Sequence, residues 1–210
     1  MRRLVMLVVC GLSVAALSSA AFAGPDCAGC GKIEKAGEGF CGGCKHGKVF
    51  ALEVNSQALY DLLAGSTEMT GKLKESKCPG CKKAATEGGA CDHCKTFVAE
   101  GRTFQSKPAF VLAKGKLIAP DAVAGIESHC STCAEAFKTG GFCDHCKEGF
   151  VGHHQYNSKE SYDDAVAAYA TVQAAVKDSA KCEGCATARL TDGTCKACNT
   201  AFKDGKPAKS

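Results

Sequence analysis

The chain has 210 residues, a formal net charge of +4, no Trp, only 7% aromatic residues, 24 Gly and 17 Cys. That composition leaves little large apolar surface to bury, so one or two domains supported by something besides a hydrophobic core are expected. The mild positive charge is too small to supply the basic footprint of a nucleic-acid binder.

In chain order, Met1-Arg2-Arg3 is a short basic start, Leu4 to Ala16 is almost wholly apolar, and Ala21-Phe22-Ala23 offers small residues at a cleavage site. This is the anatomy of a secretory signal peptide at 1–23, removed after Ala23. The apolar run is short for a membrane span, and no later segment approaches twenty apolar residues. The mature chain is therefore expected to be periplasmic or secreted, with no membrane span after cleavage. Cys10 would leave with the signal, and Val8 and Val9 before it are not the small residues of a lipoprotein site. Without Arg2 and Arg3, 24 basic side chains face 22 acidic ones, a net of +2. Four divalent metals held by sixteen thiolates would take that to −6.

The remaining cysteines form four quartets: Cys27, Cys30, Cys41 and Cys44; Cys78, Cys81, Cys91 and Cys94; Cys130, Cys133, Cys143 and Cys146; Cys182, Cys185, Cys195 and Cys198. Each reads C-x2-C-x9-C-x2-C, with ten intervening residues in the first, and the quartets begin 51, 52 and 52 residues apart. A fixed period of this length predicts a tandem array, with units at 24–76, 77–128, 129–180 and a truncated fourth at 181–210. Gly39, Gly89, Gly141 and Gly193 each stand two residues before the third cysteine.

Within the first unit, "KVFALEV" reads as strand or hairpin and "SQALYDLLAG" as a short helix capped by Ser56 and closed by Gly65. The second unit repeats this with "TFVAEGRTF", turning at Glu100-Gly101, and "SKPAFVLAKG", capped by Ser106, opened by Pro108 and closed by Gly115. The third has "GFVGHHQY" and then a longer helix at about 161–178, whose stripe of Tyr162, Val166, Tyr169, Val172 and Val176 is expected to face the core. "AFKDGKPAKS" reads as a frayed tail. The fold class expected is a small α+β protein, metal-stapled, with short hairpins and interspersed helices.

Two C-x-x-C turns can point four sulfurs at one tetrahedral metal. The stretches between them, "GKIEKAGEGF" and "KKAATEGGA", read as polar, glycine-bearing hairpin connectors. "CAGCGKIEKAGEGFCGGCK" resembles a short zinc ribbon of the rubredoxin-like double-knuckle kind, through Cys27, Cys30, Gly31, Phe40, Cys41 and Cys44. The third unit matches with Phe142 but has Ala134 for the glycine, and the second and fourth have Ala90 and Thr194 at the aromatic position. The resemblance covers about eighteen residues per unit. It implies four closed structural sites of four thiolates each and four zinc ions, with iron possible at the same geometry.

Disulfides remain open, since export places sixteen cysteines in an oxidising compartment. Thiol exchange is less expected, because glycine and lysine surround the pairs where a redox scaffold starts a helix. Haem attachment needs a histidine after the second cysteine, and no pair has one. His153 and His154 form the candidate accessory metal site, while His46, His93, His129 and His145 read as solvated. No nucleophile, base and orienter set is apparent, so no enzymatic activity is expected. Two functions follow: a scaffold presenting a surface to an unidentified envelope protein, or a metal-buffering protein.

Overall fold

The computed structural model describes residues 27–208. The expected signal peptide at 1–23, with Cys10, lies outside the described residues.

The first unit comprises α1 (Ala28–Ala36), β1 (Gly39–Cys41), β2 (His46–Val49), β3 (Leu52–Val54), α2 (Gln57–Ala64) and α3 (Thr67–Lys74). The second comprises α4 (Pro79–Glu87), β4 (Gly89–Cys91), β5 (Thr96–Ala99), β6 (Arg102–Phe104), α5 (Lys107–Ala113), β7 (Lys116–Leu117), a 3-10 turn at Pro120–Ala122 and α6 (Val123–His129). The third comprises α7 (Ser131–Thr139), β8 (Phe142–Cys143), β9 (Glu148–Val151), β10 (His154–Tyr156) and α8 (Lys159–Ser179). The fourth comprises α9 (Glu183–Thr191), β11 (Phe202–Lys203) and β12 (Lys206–Pro207).

The connectors inside the quartets are helices, not hairpins. The first cysteine of each quartet is an extended N-cap residue, and the nine residues after it are helical. The reason is compositional: "GKIEKA", "KKAATE" and "AEAFKT" are mostly Ala, Lys and Glu, which lose little rotamer freedom in a helix. Glycines of these connectors act as C-caps instead, with Gly37 at φ 81 and Gly88 at φ 79.

The hairpins fall where the alternating runs place them. Antiparallel meanders join β1-β2-β3 and β4-β5-β6, and β8-β9-β10 gains β7 at its outer edge. Their turns have positive φ at both central residues: Phe50-Ala51 at 50 and 59, Glu100-Gly101 at 48 and 68, Gly152-His153 at 56 and 65. Gly152 is required by packing as well, since a Cβ there would stand 2.7 Å from the Phe50 carbonyl oxygen.

Ser56, Ser106 and Ser158 all accept from the backbone N–H three residues on, as helix caps do. Ser106 is fully buried. Ser106→Ala is therefore expected to lower stability by about 1–2 kcal/mol, read as a shift in the denaturant midpoint. Gly65 closes α2 at φ 71, and α5 ends at Ala113 with Lys114 as its cap residue, after which the Gly115 N–H donates to Leu112 O at 3.1 Å. Gly115 serves close approach: its Cβ would meet the Tyr156 ring at 2.6 Å.

Helix α8 runs from Lys159 to Ser179, close to the expected span. Its fully buried face is Ala165, Val172 and Ala175 with Ala168 beside them, whereas Val166 is exposed. Small residues let α8 lie close against α5 and α9, and of the expected stripe Val172 is fully buried while Tyr162, Tyr169 and Val176 pack half-buried against the same core. The tail forms a hairpin. Phe202 is buried under the Arg189 guanidinium, which also donates to Asp178 and to the Gly205 carbonyl.

One apolar cluster takes residues from all four units, including Phe50, Leu63, Phe104, Leu112, Val151, Val172 and Leu190. Backbone pairing adds to it. Ser66 pairs with Thr103 through two 2.9 Å hydrogen bonds, and the Ile118 N–H donates to His153 O at 2.9 Å. The fold is thus a small mixed helix-and-sheet assembly around a shared core, with the cysteine clusters placed around it.

Candidate metal centre

Each quartet is assembled by two local devices. The first C-x-x-C opens a helix, so its second cysteine lies in the first helical turn. The second C-x-x-C occupies a tight turn after a short strand, which Cys41, Cys91 and Cys143 end. Lys45, Lys95, Lys147 and Asn199, at φ 51, 52, 60 and 53, complete these turns in the left-handed region.

The structure brings all sixteen expected cysteines together, four by four, with the ligand atoms of each group within 4.8 Å of one another. The sulfurs of the first and third cysteines are 3.6 Å apart for Cys27–Cys41, 3.7 Å for Cys78–Cys91, 4.0 Å for Cys130–Cys143 and 3.6 Å for Cys182–Cys195. A tetrahedron with metal–sulfur bonds near 2.3 Å has edges of about 3.8 Å. A disulfide would draw a pair to about 2.05 Å, and all sixteen stand as free thiols. Four thiolates at this spacing fit a divalent metal, so each quartet can hold one.

Close packing sets the spacing. Gly29, Gly80 and Gly184 precede the second cysteine of their quartets. A Cβ on them would stand 2.8, 2.9 and 2.9 Å from the sulfur of Cys41, Cys91 and Cys195. The sequence signal for this was C-x-G-C in three of four units. Gly80→Ala is expected to displace the Cys91 sulfur and weaken metal binding at that quartet on the order of tenfold, as overpacking of about 1–3 kcal/mol requires. Chelator competition would measure it; an unchanged affinity would mean the glycine serves only the turn.

The electrostatics are graded within each quartet. The Cys27 thiol makes no full cap hydrogen bond. The Cys30 N–H of the open helical turn nevertheless favours its thiolate and lowers its pKa to about 6, with help from the Cys44 and Cys41 thiols. Cys78 and Cys130 are lowered to about 6 in the same way, by the N–H groups of Cys81 and Cys133. Their helical partners go the other way. Cys30 is raised to about 12, led by its hydrogen bond with Cys44, and Cys81 to about 12, led by burial. In the fourth quartet the lowered thiol is Cys195, at about 7, through the Cys198 N–H. Each cluster thus has one thiol whose proton is held less tightly than an ordinary cysteine's. The helix beginning at each first cysteine removes the objection to thiol exchange drawn from the sequence.

The histidines are dispersed. His153 stacks on Phe137 at 5.3 Å, while His154 lies against Phe50 at 5.2 Å. His154 is 1% exposed, with Nδ1 3.0 Å from the Gly152 carbonyl and Nε2 3.8 Å from Glu38 Oε1. Burial lowers the proton affinity of both rings. Among the described residues, the groups of three or more potential ligands are the four quartets, and neither histidine joins one. His46 Nδ1 is 3.1 Å from Asn55 Oδ1. His145 Nδ1 lies 3.6 Å from the Cys146 sulfur. Among the described residues no helix is long and apolar enough to cross a membrane.

No protein-family model matches the chain, no curated protein matches it, and no solved structure matches it.

Proposed function

We propose that the chain is an exported, non-catalytic metal-binding protein whose four quartets each hold one metal, zinc or iron, in a structural site of four thiolates. The observation that carries this reading is the sulfur spacing of 3.5–4.0 Å within quartets packed beside a common core. Metal binding then contributes directly to folding, as in small metal-stapled domains. The hairpins and helices between sites would present a surface to an envelope protein, with unit boundaries near 24–76, 77–128, 129–180 and 181–210.

A second reading, metal buffering, is favoured by the exposure of Cys44, Cys94 and Cys198, through which a competing ligand could reach the metal. Transfer to a chelator separates the two. Structural sites release metal only as the chain unfolds, whereas a buffer releases it with the helical signal intact. Insulin reduction tests thiol exchange in parallel, and activity there would overturn the non-catalytic assignment. N-terminal sequencing of the exported protein should begin at Gly24.

A further inference from the structure

The fourth cysteines of the quartets are not equivalent. Cys44, Cys94 and Cys198 are exposed, whereas Cys146 is half-buried. In the first and fourth quartets the exposed sulfur also has a close partner. Cys44 Sγ is 3.5 Å from Cys27 Sγ, and Cys198 Sγ is 3.6 Å from Cys182 Sγ. Both partners are half-buried residues at the start of a helix, and neither side chain makes a full cap hydrogen bond. Turning about χ1 therefore gives up no cap. The third cysteines lie equally near, at 3.6 Å for Cys27–Cys41 and for Cys182–Cys195, but Cys41 and Cys195 are buried. A disulfide needs its sulfurs at about 2.05 Å, a closure of roughly 1.5 Å that rotation of two side chains can supply.

We propose that the first and fourth quartets are sites of reversible oxidation by a low-molecular-weight disulfide, which joins Cys27 to Cys44 and Cys182 to Cys198 and spares the third quartet. The exposed cysteine is the entry point, because a disulfide outside the protein must be reached by one sulfur first. The Cys44 thiolate attacks the external disulfide. Its S–S bond breaks, a mixed disulfide forms on Cys44, and the first external thiolate leaves and takes a proton from water. The Cys27 thiolate then attacks the Cys44 sulfur, and the second external thiolate leaves in the same way. Two protein thiols have lost two electrons and two protons, and the external disulfide has become two thiols. The fourth quartet follows the same course through Cys198 and Cys182. Cys94 offers the same entry to the second quartet. In the third, the external disulfide would have to reach the half-buried Cys146. An excess of external thiol reverses both steps. The inference stands apart from the metal reading, since it needs only the exposure and spacing of the sulfurs. Where both hold, a quartet joined in this way keeps two thiols and no longer supplies four.

The test is timed treatment of the folded full chain, as isolated, with limiting oxidised glutathione. Acid quenching, alkylation and peptide mapping by mass spectrometry then read the pairs. Cys27–Cys44 and Cys182–Cys198 are expected among the first disulfides, with Cys130, Cys133, Cys143 and Cys146 still open to alkylation. Cys27→Ser should hold one glutathione on Cys44 that the wild-type protein does not accumulate. If that variant does not fold, the wild-type map carries the test alone. First disulfides within a C-x-x-C pair, such as Cys27–Cys30, would overturn the assignment, as would oxidation of all four quartets alike or none. Counting metals by native mass spectrometry before treatment keeps the two readings apart. A metal-free chain that gives the expected pairs sinks the metal reading alone, and a metal-loaded chain that gives other pairs sinks this one alone.

Discussion

Removing the metals with a chelator is expected to abolish most of the helical circular dichroism signal and all fixed tertiary structure together, and adding zinc back should restore both. The helices that follow the first cysteines have nine residues each, too short to persist alone in water. None has a side-chain cap bond at its first cysteine, so ligation of that cysteine would fix the helix start. A structural thiolate site contributes about 10–16 kcal/mol of apparent binding free energy at neutral pH. That matches or exceeds the whole stability of an ordinary domain, about 5–15 kcal/mol. The core offers little reserve, because much of its α8 face is alanine. A chelated protein that keeps its helical signal would show that the quartets are not structural.

Phe50→Ala is expected to destabilise the entire chain by about 3–5 kcal/mol, the range for emptying a buried aromatic site. Phe50 is 1% exposed and sits in the first unit's turn, yet its ring lies 5.2 Å from the third unit's His154. Its N–H donates to Glu38 Oε1 at 2.9 Å, and its carbonyl oxygen packs against Gly152. The positive φ of Phe50 and Ala51 is an unfavourable backbone choice for residues with a Cβ. Burial of the ring between two units offsets it. Hydrogen exchange should therefore show protection lost in α8 and α9 as well as in β2 and β3. Loss confined to residues 27–76 would mean that the units are independent, contrary to the shared core.

That second prediction goes beyond what the period of the sequence says. Regular spacing of quartets leaves the packing between units open, because periodicity reports local repetition and not long-range packing. The residues that join the units, among them Leu63, Leu112, Ala165 and Leu190, are ordinary apolar residues whose sequence does not say which other unit they meet. The cysteine groupings were legible because ligand spacing is a local property, and so were the Glu100-Gly101 turn and the Ser56 and Ser106 caps. The helices inside the quartets were misread from Gly37 and the lysines of "GKIEKAGEGF", which suit a turn and a helix equally well until the cap is known. Gly115 follows the end of α5 as its sequence suggests, but the close approach of the Tyr156 ring, which also requires a glycine there, was not legible.

The central claim is that sixteen cysteines form four metal-holding quartets, and the most direct test is the mass of the protein isolated from its host, native and then denatured with thiol alkylation. The account predicts four bound metals and sixteen alkylatable cysteines, with the metal's mass deciding between zinc and iron. A metal-free protein sixteen hydrogens light, with no cysteine open to alkylation, would mean eight disulfides and would contradict it.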